Sequence, residues 1–555
     1  MPKLRIFLIF LLVWSSQLQA AALPGQAAIA SAHPVATEAG FEILARGGNA
    51  FDAAVAVSAT LAVVEPYGSG IGGGGFWLLQ QAGSTNPVMV DGREKAPLAA
   101  TRTLYQDDKG QVIPGLSVDG PLAAGIPGEP AALVYIAKHF GKLPLSVSLA
   151  PAIRAAQNGF KVTPYYQHMA KFRLEALRAS PVAARTFLKD DQVPPLGYVI
   201  RQPELAETLN LLAQKGHAGF YQGKVAEKLV AGTRNAGGIW QARDLEQYQV
   251  ATRKPVVGEY QGYRIISAAP PSSGGIALMT MLNILSGYEV AYYPPARRTH
   301  VIVEAMRRAY RDRAKYLGDP DFVKIPRKML TSEQYGYSLR RGIDINKATP
   351  SRELGTITDT SGGRHTTHFS ILDKQGNRVA ATLSINYPFG SGFMPEGTGV
   401  LLNDEMDDFS AKPGVPNVYG LVGAEANAIE PGKRMLSSMS PTFMESDNKL
   451  AILGSPGGSR IITMVLHSIL GVAEGKTAKQ VVSQPRYHHQ FLPDVIQHEA
   501  DAFDDDLKAE LQFMGHQLKE VEYLFGNMQV VIWDKQTRQV EAASDPRGEG
   551  LAKVQ

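Results

Sequence analysis

Thr358-Asp359-Thr360-Ser361-Gly362-Gly363-Arg364-His365 is a polar, glycine-bearing run that ends abruptly at Thr366-Thr367-His368-Phe369-Ser370-Ile371-Leu372, where strand-like alternation begins. A second such run, Arg378 to Ser384, follows Asp373-Lys374-Gln375-Gly376-Asn377, and together they read as a β-hairpin. With residues 373–377 as the loop, Leu372 faces Arg378, Ser370 faces Ala380, His368 faces Thr382 and Thr366 faces Ser384. Opposed side chains lie about 5 Å apart at Cβ, within reach of a hydrogen bond between the two hydroxyls. The pairing depends on register, because a slip of one residue puts Ile385 opposite Thr366 instead.

A threonine hydroxyl is a poor nucleophile until a base sits beside it. Cutting the chain just before the threonine supplies one, since its own α-amino group titrates near ~8 and is partly neutral at physiological pH. A polar loop running straight into a strand that starts with Thr is the layout this needs. Taken alone the signal is weak, since a threonine at a strand start is usually structural.

Working outward, Val35 to Val64 reads as two helices broken by Arg46-Gly47-Gly48-Asn49, the second (Ala50 to Val64) so rich in Ala and Val that full burial is expected. Gly70-Ile71-Gly72-Gly73-Gly74-Gly75 then enters an apolar strand, Phe76 to Leu79. Its glycines fit a dinucleotide pattern on paper, but such sites leave a strand and open a helix, the reverse of this order. From about Gly128 to Tyr316 the chain is expected to be mostly amphipathic helix, with a strong turn at Pro270-Pro271-Ser272-Ser273-Gly274-Gly275 before another helix. This mix suggests sheets covered by helices, with no clean internal boundary.

At the N-terminus Lys3 and Arg5 precede an apolar run, Ile6 to Trp14, then Ser15-Ser16-Gln17 and Ala20-Ala21-Ala22. That order is a secretory signal, too short to span a bilayer permanently, so a mature chain starting near Ala21 and no permanent membrane anchor are expected. The 555 residues contain no cysteine, which excludes disulfides, a thiol nucleophile and thiolate metal sites. A net charge of +4, with no block of like charge, gives nucleic acid binding no electrostatic support. His365 with His368, and His488-His489, lack metal-site spacing and carboxylate partners.

Thr366-Thr367-His368 resembles the light-chain start of the γ-glutamyltransferase family, and the likeness extends over nearly all of the mature chain in an ordered series of motifs. These are Gly47-Gly48-Asn49-Ala50-Phe51-Asp52-Ala53-Ala54, Ser69 to Gly75, Pro271-Ser272-Ser273-Gly274-Gly275, and Asp312-Arg313 with Tyr316-Leu317-Gly318-Asp319-Pro320. Asn403-Asp404-Glu405-Met406-Asp407-Asp408-Phe409, Ser437-Ser438-Met439-Ser440-Pro441-Thr442, Gly454-Ser455-Pro456-Gly457-Gly458-Ser459-Arg460 and Ser544-Asp545-Pro546-Arg547 complete it.

The resemblance implies an αββα four-layer sandwich of the N-terminal-nucleophile hydrolase class. It implies a signal peptide at 1–20, a large subunit at 21–365 and a small catalytic subunit at 366–555, cut between His365 and Thr366 and assembled as a heterodimer in one integrated domain. Thr366 is implied as nucleophile and Ser384 as its hydroxyl partner; many relatives carry Thr at the second position, so Ser384 is a departure that keeps the hydroxyl. Gly457 and Gly458 would offer backbone N–H groups to the oxyanion. Arg93, with Ser437 and Ser438, would hold the α-carboxylate of a γ-glutamyl group, and Glu405, Asp408 and Asn386 would surround its α-ammonium. Tyr419 would belong to a lid. The implied donors are glutathione and other γ-glutamyl compounds, the acceptors amino acids, dipeptides or water, and the location periplasmic or secreted; no metal or organic cofactor is implied. The nearest rival is an acylase of the same superfamily acting on glutaryl side chains, which carry no ammonium. A non-catalytic amino-acid or peptide binding protein would leave the Thr366 series unexplained.

Overall fold

The computed structural model describes residues 23–355, 366–415, 417, 421, 423–522 and 525–555. The expected signal peptide, His365 and Tyr419 lie outside the described residues.

Two antiparallel sheets form the centre. The first has seven strands in the order Leu551–Val554, Ala28–Ser31, Thr367–Leu372, Arg378–Ser384, Gly74–Gln80, Val88–Gly92, Ala251–Arg253. The second has six, in the order Val540–Ser544, Gln529–Asp534, Lys449–Gly454, Thr442–Glu445, Tyr263–Ser267, Val256–Tyr260. Both sheets therefore contain strands from each side of position 366.

Strand alternation explains the layers. Ala28, Ala30, Leu78, Leu372 and Ala380 of the first sheet pack against Ile266, Phe443, Leu450, Ile452, Val531 and Trp533 of the second, forming the inter-sheet core. Their neighbours Ile29, Trp77, Leu79, Ile371, Val379 and Ala381 point the other way, into a core shared with the helices from Pro34–Ala45 through Gly223–Asn235. Met444, Ala451, Leu453, Val530 and Ile532 meet helices Gly274–Leu285, Pro295–Tyr316 and Ile461–Ala473 on the outer face of the second sheet. The result is the expected helix–sheet–sheet–helix sandwich.

The hairpin has the expected register: Arg378 pairs with Leu372, Ala380 with Ser370, and Thr382 with His368. Leu383 with Thr367 is the last ladder pair, so the next residues outward are Thr366 and Ser384. Asp373 holds the loop, its Oδ1 accepting from Gln375 and Asn377 N–H at 2.9 and 3.0 Å. Its Oδ2 accepts from Ala50 N–H at 3.0 Å and so pins the start of helix Ala50–Val64 to the hairpin. That helix is buried along its whole length and opens on a capping box between Asn49 and Asp52.

The glycine run is there for close backbone approach. A Cβ on Gly72 would stand 2.0 Å from Leu401 O, one on Gly73 2.2 Å from Ser384 O, and one on Gly74 2.2 Å from Gly92 O. The middle segment is mostly helix as expected, but Ala251–Arg253, Val256–Tyr260 and Tyr263–Ser267 within it are strands. They are short, and Val256–Tyr260 and Ala251–Arg253 each lie at a sheet edge, so the alternating burial of the former comes from its position.

Candidate active site

Every element of the site ends at one place. Thr366 directly precedes its strand and is 7% exposed, and Ser384 closes the neighbouring strand. Asn386 follows with φ +71°, a left-handed backbone that Asn tolerates, and donates its backbone N–H to Ser384 Oγ at 2.8 Å. Its side-chain amide donates to the Asp404 carbonyl at 3.0 Å, fixing it against the turn of 3₁₀-helix Glu405–Asp408. Arg93 leaves the end of strand Val88–Gly92, its backbone N–H held by Asp91 Oδ1 at 3.0 Å.

Thr366, Ser384, Arg93, Asn386, Glu405, Asp408, Ser437, Ser438 and Gly458 all line one pocket. Gly457, the tenth residue expected at the site within the described chain, lines an adjoining cavity that Thr366 also borders. Gly457 has φ +141° and Gly458 φ +56°, and a Cβ on Gly457 would meet Met464 Cε at 2.5 Å. The turn therefore presents bare backbone beside Thr366, as an oxyanion donor pair requires.

Charge is concentrated on Arg93. Its guanidinium pairs with both Glu405 and Asp408 and donates to the Met435 and Leu436 carbonyls at 3.2 and 3.3 Å. Burial alone would lower its pKa, but the carboxylates of Glu405, Asp408 and Glu94 outweigh burial and raise it. Burial pushes Glu405 up, Arg93 pulls it down, Asp408 adds repulsion and Ser384 a hydrogen bond, leaving it at about 7. The carboxylate-binding and ammonium-binding groups expected from sequence thus form one ion-pair cluster, because buried charges must be paired to be tolerated.

Arg313, in the Asp312-Arg313 motif, is a further residue of the site that the sequence alone does not single out. It lies on helix Pro295–Tyr316, 5% exposed, and donates to Ser273 Oγ at 3.0 Å and Ser438 Oγ at 3.2 Å. No carboxylate pairs with it among the described residues, and burial lowers its pKa. Ser273 in turn donates its hydroxyl to the Ser437 carbonyl at 2.6 Å, so the Pro271-Ser272-Ser273 turn buttresses the serine pair. His488 and His489 are buried and held neutral chiefly by desolvation. His488 contacts Thr463 and Gln490, and His489 contacts Asp494.

The sequence model of γ-glutamyltranspeptidase matches residues 36–554. A relative from Pseudomonas sp. (strain A14), glutathione hydrolase proenzyme, is 43% identical over 497 residues, covering 88% of this chain and 85% of its own. The chain belongs to the γ-glutamyltranspeptidase family. It is accordingly an enzyme of γ-glutamyl transfer on the N-terminal-nucleophile hydrolase fold. Among solved structures, cephalosporin acylase from Bacillus halodurans superposes with TM-score 0.83 at 28% identity, covering 96% of each chain. Helicobacter pylori γ-glutamyltranspeptidase gives TM-score 0.57 at 40% identity, covering 58% of this chain and 93% of that one. The acylase shares the fold, while the γ-glutamyltranspeptidases share both fold and more of the sequence.

Proposed function

We propose that the chain is an exported proenzyme that cleaves itself before Thr366 and then hydrolyses glutathione and related γ-glutamyl amides, or transfers their acyl group to amino acids and dipeptides. The observation that carries this reading is the convergence of Thr366, Ser384, Gly458 and the Arg93–Glu405–Asp408 cluster on one pocket.

The free amine of Thr366 takes the hydroxyl proton as Oγ attacks the γ-carbonyl. Gly457 and Gly458 N–H groups hold the tetrahedral oxyanion, and the leaving amine departs with the proton. Water or an acceptor amine then opens the γ-glutamyl ester. Arg93 with Ser437 and Ser438 binds the α-carboxylate, while Glu405, Asp408 and Asn386 receive the α-ammonium. A substrate carrying both charges exchanges partners with the resident ion pairs, which suits a zwitterion better than a glutaryl group. That argues against the acylase reading, as does the greater identity to glutathione hydrolase.

Cleavage would leave residues 21–365 and 366–555 as a heterodimer, consistent with the relative's designation as a proenzyme. Export rests on the N-terminal charge and apolar pattern, and no described helix is long and apolar enough to cross a membrane. N-terminal sequencing of the smaller purified fragment tests the cleavage, with Thr366 expected first. Comparing γ-glutamyl and glutaryl anilides tests the substrate; faster turnover of the glutaryl compound would reverse the assignment.

A further inference from the structure

Thr366 borders two cavities, with Gly458 lining the first and Gly457 the second. An acyl group held by Arg93 in the first leaves the second for the amine on the other side of the scissile bond. That is the leaving amine before acyl transfer and the acceptor amine after it.

Glu65 lines the second cavity. It directly follows helix Ala50–Val64, is 5% exposed, and its Oε2 has no hydrogen-bond partner among the described residues. A buried carboxylate oxygen without a donor is expensive unless something arrives to satisfy it. Gly68 makes room for the group, since a Cβ there would stand 2.9 Å from the Glu65 carboxyl carbon. Thr367, next in chain to Thr366, lies beside Glu65, and its hydroxyl favours the ionised form of that carboxyl. Arg460 brings positive charge to the same cavity, where Glu522 adds a second carboxylate and Arg547 is already held by Glu499 and Asp545. Burial pushes the Glu65 carboxyl up to about 8, against the Thr367 hydroxyl and with the help of Glu549. Near pH 7 the cavity therefore holds the neutral acid until an acceptor comes, and the acid gives its proton to water as the arriving ammonium pairs with the carboxylate.

We propose that Glu65 recognises the acceptor, its carboxylate receiving the α-ammonium of an incoming amino acid or dipeptide and taking one proton from it. The proposal rests on the reading of Thr366 as nucleophile. The proton moves from the ammonium to Glu65, leaving a neutral amine. That amine forms a C–N bond to the γ-carbonyl as the bond from carbon to Thr366 Oγ breaks. The second amine proton passes through the Thr366 α-amine to Oγ, restoring the hydroxyl, and the proton taken from the ammonium leaves Glu65 as the acid it was before the acceptor arrived.

The test is the partition of one acyl-enzyme between competing acceptors, using the matured enzyme and a single γ-glutamyl donor. Glycylglycine enters as a cation, whereas hydroxylamine and water are neutral nucleophiles near pH 7. Glu65→Gln should lower the ratio of glycylglycine transfer to hydrolysis by about tenfold or more, the size expected of one charge-assisted hydrogen bond. The ratio of hydroxylamine transfer to hydrolysis should change by less than about twofold, because no ammonium is lost. Both ratios compare fates of the same ester, so slower ester formation cancels. Glu65→Asp keeps the charge and retracts it by one methylene, so it should shift the glycylglycine ratio in the same direction by less. It decides the matter alone if the Gln chain fails to mature. An unmoved glycylglycine ratio, or an equal fall for both acceptors, overturns the proposal. An enzyme that forms its ester without Thr366 would overturn the underlying reading instead.

Discussion

His368 and Thr382 face each other across the hairpin, with the imidazole Nδ1 2.8 Å from the Thr382 hydroxyl. The contact locks the register that sets Thr366 beside Ser384. Its second nitrogen meets Ser370 Oγ at 3.2 Å, and Ser370 donates to the Ile452 and Gln529 carbonyls of the other sheet. One histidine thus ties the strand that follows Thr366 to the layer beneath it. Burial pushes His368 down to about 3, so it works as a neutral hydrogen-bonding group.

Such histidines make the fold acid-sensitive. Burial lowers His368 to about 3 and His467 to about 4, so between ~6.5 and ~4 the unfolded chain binds protons that the folded chain does not. Their stabilisation is complete above ~6.5 and shrinks as pH falls, each group approaching a loss of ~1.4 kcal/mol per pH unit. Their share lowers the denaturation midpoint between pH 7 and pH 5, against the opposite pull of the buried carboxyls Glu65 at about 8 and Glu405 at about 7. His467→Gln, which can keep a donor toward the Tyr487 carbonyl, should flatten that slope. Equal pH slopes of the midpoint in wild type and His467→Gln would contradict the argument.

Arg93→Lys should cost far more than a like-charge exchange. Lysine keeps one positive charge but loses the planar fork that serves Glu405, Asp408 and two carbonyls at once. The expected result is a KM raised by roughly 10- to 150-fold, equivalent to the ~1.5–3 kcal/mol of a charge-assisted hydrogen bond, with kcat also reduced if the acyl group is misplaced. Wild-type kinetics in the variant would take Arg93 out of substrate binding.

Much of this arrangement is legible in the sequence. The Asp373–Asn377 loop fixes the hairpin register by counting, and the ordered motifs bring nine site residues into one pocket. Arg313 escapes because Pro295–Tyr316 also carries Arg297, Arg298, Arg307, Arg308 and Arg311, a pattern that reads as a solvated face. Only the neighbouring helices and the Ser273 turn bury it. Glu65 escapes for a similar reason, since an acid just past a helix normally faces water. The ion-pair cluster is equally invisible, because sequence assigns partners to a substrate without saying what they touch one another with.

Asp408→Asn should separate the two donor classes. Asp408 pairs with Arg93 and accepts from Asn417 Nδ2 at 3.2 Å, so the amide keeps the shape while removing one anion. Affinity for γ-glutamyl donors should fall about 10- to 150-fold. Glutaryl donors, which bring no ammonium, should lose less. Equal losses on both anilides would point to a structural role for Asp408.

Gly457→Ala should damage chemistry more than binding. Met464 is flexible and can yield to the new methyl, but φ +141° is a backbone angle that L-residues rarely adopt. The backbone then rotates and its N–H leaves the oxyanion, a loss of the order of 10²–10³ in kcat. Single-turnover acylation against equilibrium donor binding measures the two separately. A variant weakened only in binding would argue against the oxyanion role.

Thr366 carries the last prediction, because one hydroxyl is asked to do two reactions. In the precursor Oγ attacks the His365 carbonyl, and water opens the resulting ester to free the amine that later serves as base. Thr366→Ala should give a folded, uncleaved and inactive chain of full mature size. Thr366→Ser keeps an oxygen and should mature with reduced activity, the missing methyl leaving χ1 less restrained beside Ser384. Intact mass and activity of both variants beside wild type make the comparison. An Ala chain that still splits between His365 and Thr366 in a protease-free preparation would end the self-cleavage reading. One that turned over donor would end the nucleophile assignment too, since no other hydroxyl could then be credited with the ester on the strength of position alone.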